Sequence, residues 1–114
     1  MSYKRGDVIL VRYPSSDLRT YKKRPALIVQ SDDISTGVPQ RIVALITSNL
    51  SRTGATRVPI QKDSDVGQQM GLLKDSVVVA DNLATVVDRE VDRKIGACPV
   101  MDRVDAALRR ALGL

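Results

Sequence analysis

Short aliphatic runs separated by polar, turn-forming segments fill this chain from Asp7 to Val87, and the pattern changes period only after Pro99. Runs of this length, rich in Val and Ile, suit strands rather than helices. Asp7–Arg12 is the first, closed by Tyr13 and Pro14. Pro25–Gln30 reads as the second strand, with the proline at a first position where only one ladder donor is lost, after a polar segment running from Ser15 to Lys23. Asp32–Gln40 is loop by composition. Arg41–Thr47 is apolar enough to be covered on both faces. Thr56–Ile60 alternates and carries Pro59, which makes it an edge strand. Ser76–Ala80 and Ala84–Val87 complete a set of six.

After Pro99 the apolar residues Val100, Val104, Ala107, Leu108, Ala111 and Leu112 recur at helical spacing. Pro99 suits a first helical position and Gly113 a stop, which puts Cys98 at the cap. The helix either covers its own sheet or completes an isologous two-fold contact. The expected fold is mainly β with a C-terminal helix, a small barrel-like sheet forming a single domain over residues 1–114.

Composition narrows the chemistry. There is no Phe and no Trp, and the rings are confined to Tyr3, Tyr13 and Tyr21. The chain holds no histidine and one cysteine. That excludes a multi-cysteine metal site, a disulfide framework and any Ser-His or Cys-His nucleophile. No apolar run reaches the roughly 18 residues of a membrane span, the N-terminus reads as a first strand rather than a signal peptide, and a cytoplasmic setting is expected. The net charge of +5 is uneven: residues 1–57 carry ten Lys/Arg against four Asp/Glu, and residues 58–114 eight against nine. A basic N-terminal half suits an anionic partner, most simply nucleic acid.

Two segments are candidates for chemistry. Lys22, Lys23 and Arg24 stand directly before Pro25. A guanidinium on a backbone held by the start of a strand can be aimed at a phosphate, while two lysines on a preceding loop can hold backbone phosphates. Thr47, Ser48 and Asn49 offer hydroxyls and an amide at the exit of the third strand, although Ser and Asn also favour turns for local reasons.

These segments belong to a longer pattern: Arg5-Gly6-Asp7-Val8, then Lys23-Arg24-Pro25-Ala26-Leu27-Ile28-Val29, then Ala44-Leu45-Ile46-Thr47-Ser48. It continues with Gly71-Leu72-Leu73-Lys74-Asp75-Ser76-Val77-Val78, Asp81-Asn82-Leu83-Ala84-Thr85-Val86 and Arg103-Val104-Asp105-Ala106-Ala107-Leu108. In order and spacing it resembles the MazF/PemK family, the toxins of type II toxin–antitoxin modules. The resemblance implies an SH3-like barrel of the PemK/CcdB type and a homodimer. It also implies a cofactor-free, metal-independent, sequence-specific cut of single-stranded RNA by the ribose 2′-hydroxyl, leaving a 2′,3′-cyclic phosphate and a 5′-hydroxyl. It implies neutralisation by an antitoxin whose acidic C-terminal segment lies over the basic groove.

Carried over by position, the catalytic candidates are Arg24, Thr47 and Ser48, with Asp81 in reserve as the acid. The RNA contacts expected around them are Arg19, Tyr21, Lys22, Lys23, Asn49 and Arg52. Two places depart from well-known members. The first loop reads Ser15-Ser16-Asp17-Leu18-Arg19-Thr20, so the cut sequence does not carry over, and Val79 stands where some relatives have an arginine. Other outcomes on the same fold are a non-enzymatic toxin that binds DNA gyrase and a plain RNA-binding module.

Overall fold

The computed structural model describes residues 3–15, 17 and 19–114; Ser16 and Leu18 of the divergent first loop lie outside the described residues. Nine elements follow in order: β1 (Asp7–Pro14), β2 (Tyr21–Ile28), β3 (Gln40–Thr47), β4 (Arg57–Ile60), α1 (Asp65–Gln69), β5 (Ser76–Val87), a 3-10 turn (Asp88–Glu90), β6 (Val91–Ala97) and α2 (Met101–Leu112). The strands form one antiparallel sheet in the order β4-β5-β3-β2-β1-β6, coiled but not closed, with β4 and β6 at its edges. No helix among the described residues is long and apolar enough to cross a membrane.

Alternation along the strands divides the interior in two. Val8, Leu27, Ala44, Ile46 and Val78 face one side and pack with Met70, Leu72, Val104 and Ala107. Their neighbours Ile9, Ala26, Ile28, Val43, Leu45, Val77 and Val79 face the other side, with Tyr13 and Val86. Helix α2 covers the first side over β4 and β5. Its Val104 and Ala107 are buried there, so this face of the helix covers its own sheet.

The second side is covered because β5 bends. Leu45 pairs with Val79 but Ala44 with Leu83, so Ala80, Asp81 and Asn82 bulge between them. A bulge of this kind turns a strand without ending it. It explains why the two strands expected over 76–80 and 84–87 are one. It also brings Asn82 to β1, where the Tyr13 hydroxyl donates to its carbonyl oxygen at 2.9 Å and lies 3.0 Å from its Oδ1. Desolvation pushes the Tyr13 phenol up to about 12. Because the folded state holds this proton more tightly than the unfolded chain, whose phenol titrates near 10, stability is full below pH 10 and declines as the pH rises toward 12. Tyr13→Phe is expected to cost about 1 kcal/mol at neutral pH through the lost hydrogen bond and to flatten that alkaline decline, as chemical denaturation at a series of pH values reads directly.

Two further boundaries correct the expectations from sequence. Strand β2 begins at Tyr21, not Pro25, because the β1 ladder continues through Arg12↔Lys23, Tyr13↔Lys22 and Pro14↔Tyr21. Lys22 and Lys23 therefore sit on a strand rather than a loop, and Pro25 marks the place where β2 leaves β3, whose pairing begins only at Ala26. Helix α2 takes Val100, not Cys98, as its N-cap residue. Cys98 is buried instead, its N–H donating to the Gly6 carbonyl at 2.8 Å, and desolvation raises its thiol pKa. Gly113 ends α2 in the left-handed conformation, φ 72°, as expected.

The Arg5-Gly6-Asp7 opening is architectural. Arg5 Nε donates to the Val29 carbonyl at 2.9 Å and Nη2 to Asp105 on α2. Buried Asp7 accepts from the Lys4 N–H at 3.0 Å and pairs with Lys94 of β6 at 3.2 Å.

Candidate active site

Beyond the reach of α2, the first side of the sheet opens into a groove of about 450 Å³. Leu10 floors it, two residues beyond buried Val8 on the same face of β1, with Pro25 and Arg93 opposite it on the two neighbouring strands. Ile46 and Thr47 enter from the end of β3, Ser48 from the turn beyond, and Gly71–Lys74 form the far wall.

Arg24 stands at the rim. Its backbone is fixed by pairing with Val11, and it is half-buried. Among the described residues neither Arg24 nor Lys74 has an acidic partner, whereas Arg93 pairs with its neighbour Asp92 at 2.8 Å. Among the described residues no Asp or Glu lines the groove. Three cations around an apolar floor favour an anion, and the field is stronger against the low-dielectric wall than in open water.

Thr47 is oriented by the turn that follows it. Its Oγ1 accepts the Asn49 N–H at 3.1 Å, so one lone pair is engaged and the hydroxyl hydrogen is left to donate. Asn49 spends its own side chain locally, Oδ1 accepting the Ser51 N–H at 3.1 Å and the Ser51 hydroxyl at 2.6 Å. Asn49 does not line the groove, while Ser48 is exposed at its edge.

The remaining candidates lie elsewhere. Asp81 sits on the β5 bulge outside the groove. Its oxygens accept from Arg57 Nε and Nη2, both at 3.0 Å, and from the Thr56 hydroxyl at 3.2 Å. Desolvation raises its pKa, but the Arg57 and Thr56 hydrogen bonds and the guanidinium charge outweigh it and hold the carboxyl below the usual range. Arg57 lies across the β4–β5 ladder from Val79, so a neighbouring strand supplies an arginine for Asp81. Lys23 pairs with Asp92 at 3.7 Å, and Lys22 is exposed. Tyr21 packs under Arg12, 5.7 Å from guanidinium to ring centre, beside another hollow near Glu90. Arg19 is exposed on the first loop. Arg52 lines a larger neighbouring cavity of about 690 Å³ that shares Ser76 with the groove.

Lys74 and Arg93 were not among the residues singled out from sequence. Lys74 stood inside a quoted motif without a role. Arg93 lies on β6, whose polar sequence Val-Asp-Arg-Lys-Ile-Gly-Ala carries too few apolar residues to signal a strand.

An antiparallel sheet with a C-terminal helix thus holds a cationic groove between a strand-borne arginine and a strand-exit threonine. The family model for the PemK-like, MazF-like toxin of type II toxin-antitoxin system matches residues 4–112, and the chain belongs to that family. Endoribonuclease EndoA of Bacillus subtilis (strain 168) is 30% identical over 117 residues, covering all of this chain and 97% of that protein. Among solved structures, Mycobacterium tuberculosis toxin MazF-mt6 superposes with a TM-score of 0.74 at 26% identity, over 95% of this chain and 97% of its own. An endoribonuclease from Mycobacterial species, solved in complex with its cognate antitoxin, shares the fold at a TM-score of 0.77 and 24% identity, over 99% and 97% of the two chains.

Proposed function

We propose that this chain is an endoribonuclease toxin that cuts single-stranded RNA in the Arg24 groove without a metal ion, and that a cognate antitoxin silences it. The whole-length similarity to endoribonuclease EndoA supports the activity. The observation that carries the site is the convergence of Arg24, Thr47 and Ser48 with Lys74 and Arg93 on one acid-free groove.

The chemistry suits those groups. The 2′-hydroxyl loses its proton, the 2′-oxygen–phosphorus bond forms, the bond to the 5′-oxygen breaks, and that oxygen takes up a proton. Charge grows on the phosphoryl oxygens, where the planar fork of Arg24 and the ammonium of Lys74 stabilise it. Thr47 donates its free hydroxyl hydrogen to the same phosphate, which helps hold sugar and phosphate in line. Asp81 takes no part, because Arg57 and Thr56 already occupy its oxygens. An acidic, disordered antitoxin segment competes for the same cations. The protein works as a homodimer, in keeping with its family.

The test is incubation with mixed-sequence single-stranded RNA in EDTA, with the fragment ends mapped. Fragments carrying 5′-hydroxyl and 2′,3′-cyclic phosphate ends are the expected result; RNA left intact by folded, antitoxin-free protein overturns the reading.

A further inference from the structure

Beyond the groove the surface carries a second, denser concentration of positive charge. A hollow of about 600 Å³ between the β3–β4 connection and α2 is lined by Arg57, Arg103, Arg109 and Arg110, with no acidic side chain among the described residues of its wall. Arg57 and Arg103 also line the 690 Å³ cavity, where Arg52 joins them and Asp75 is the acid in the wall; buried Ser76 stands between that cavity and the Arg24 groove. The two hollows share Gly54, Arg57 and Arg103, and together they run from the residues beside the groove to the last turn of α2. Apart from the Arg57–Asp81 pair, none of these arginines has an ion-pair partner among the described residues.

We infer that this arginine run is a distal binding track for the single-stranded RNA whose scissile phosphate lies in the Arg24 groove, so that substrate is held well beyond the cut. The inference rests on the RNA reading proposed above. A second copy of the chain is the wrong occupant, since an isologous contact would set arginine against arginine. RNA fits better than an acidic polypeptide for two reasons. Guanidinium forks match phosphates bidentately, and their planes stack on unpaired bases. The chain has few other stacking surfaces: Tyr13 is buried with its hydroxyl engaged, Tyr3 is half-buried, and Tyr21, though exposed, has Arg12 over its ring.

The test uses 2′-O-methyl RNA, which lacks the attacking hydroxyl and so reports binding alone. Two fluorescently labelled lengths are compared, about 4 and about 15 nucleotides, the range over which single-strand sites extend. Affinity is measured against salt concentration for the wild-type protein and for Arg109→Gln/Arg110→Gln. Each single-strand phosphate that a cation no longer neutralises lowers the logarithmic salt slope by about 0.7, so the double variant should lose about 1.4 on the long RNA and nothing on the short one. Arg52→Gln, on a different element, should lose about 0.7 on the long RNA and decides the matter if the helix variant does not fold.

An unchanged slope on the long RNA, or equal losses on both lengths, overturns the track. So does polyglutamate of matched charge that binds more tightly than RNA and loses the larger slope. Intact unmodified RNA alongside the expected slopes refutes the nuclease reading and leaves the track standing.

Discussion

Arg24→Ala is expected to lower the cleavage rate constant by about 10²–10³-fold, the cost of removing one preorganised donor from a developing oxyanion, while the fold stays intact. The two halves of this expectation have separate causes. Arg24 has no ion-pair partner among the described residues, so its removal strands no buried acid. Its backbone is held by the Val11 pairing whatever the side chain. Unfolding free energy should therefore stay within about 0.5 kcal/mol of wild type, as for surface substitutions generally. Arg24→Lys should recover only part of the rate, because an ammonium keeps the charge and loses the planar fork. Single-turnover cleavage of one RNA by the three proteins, beside their thermal unfolding curves, reads all of this. Wild-type rates from Arg24→Ala would remove the arginine from the chemistry.

How far such a site is legible in sequence depends on what each strand is covered by. Strand β3, buried on both faces from Val43 to Ile46, is written as a continuous apolar run and was readable almost to its ends. The outer half of β2 was not: Tyr21, Lys22 and Lys23 are exposed and pair only with β1, so nothing apolar marks them. Strand β6 escaped for the same reason, and Arg93 with it. The β5 bulge was misread as a gap because Asp81-Asn82 looks like a turn, when its function is to bend one strand and bring Asn82 to Tyr13. Arg24 and Thr47 were legible because each stands beside a marker that composition does reveal, a proline in one case and the end of a buried strand in the other. Lys74 needed the third dimension, since it reaches the groove only through the turn that follows α1.

That turn depends on two backbones passing with no side chain between them. Gly71 has φ 72°, and a Cβ built on it would lie 2.0 Å from the Ile95 carbonyl oxygen of β6. Gly96 answers from the other side, where a Cβ would lie 2.3 Å from the Met70 carbonyl carbon. The obstacle in each case is main chain, which no rotamer change can clear. Gly71→Ala therefore carries a left-handed penalty of about 1–2 kcal/mol and an overpacking cost of about 1–3 kcal/mol. Together these should lower the unfolding midpoint by about 10 °C or more.

Gly37→Ala separates the two causes. Its φ is 77°, but nothing lies within 4 Å of the added methyl, so it should pay only the conformational part, about 1–2 kcal/mol. Relieving the clash at Gly71 means moving α1 and the Leu72–Lys74 wall away from β6, which opens the groove between Lys74 and Arg93. Below its own melting temperature Gly71→Ala should accordingly lose cleavage activity that Gly37→Ala retains. Equal melting shifts in the two variants would mean that the close crossing contributes nothing beyond backbone conformation. An active, strongly destabilised Gly71→Ala would mean that the far wall of the groove is not needed for the cut.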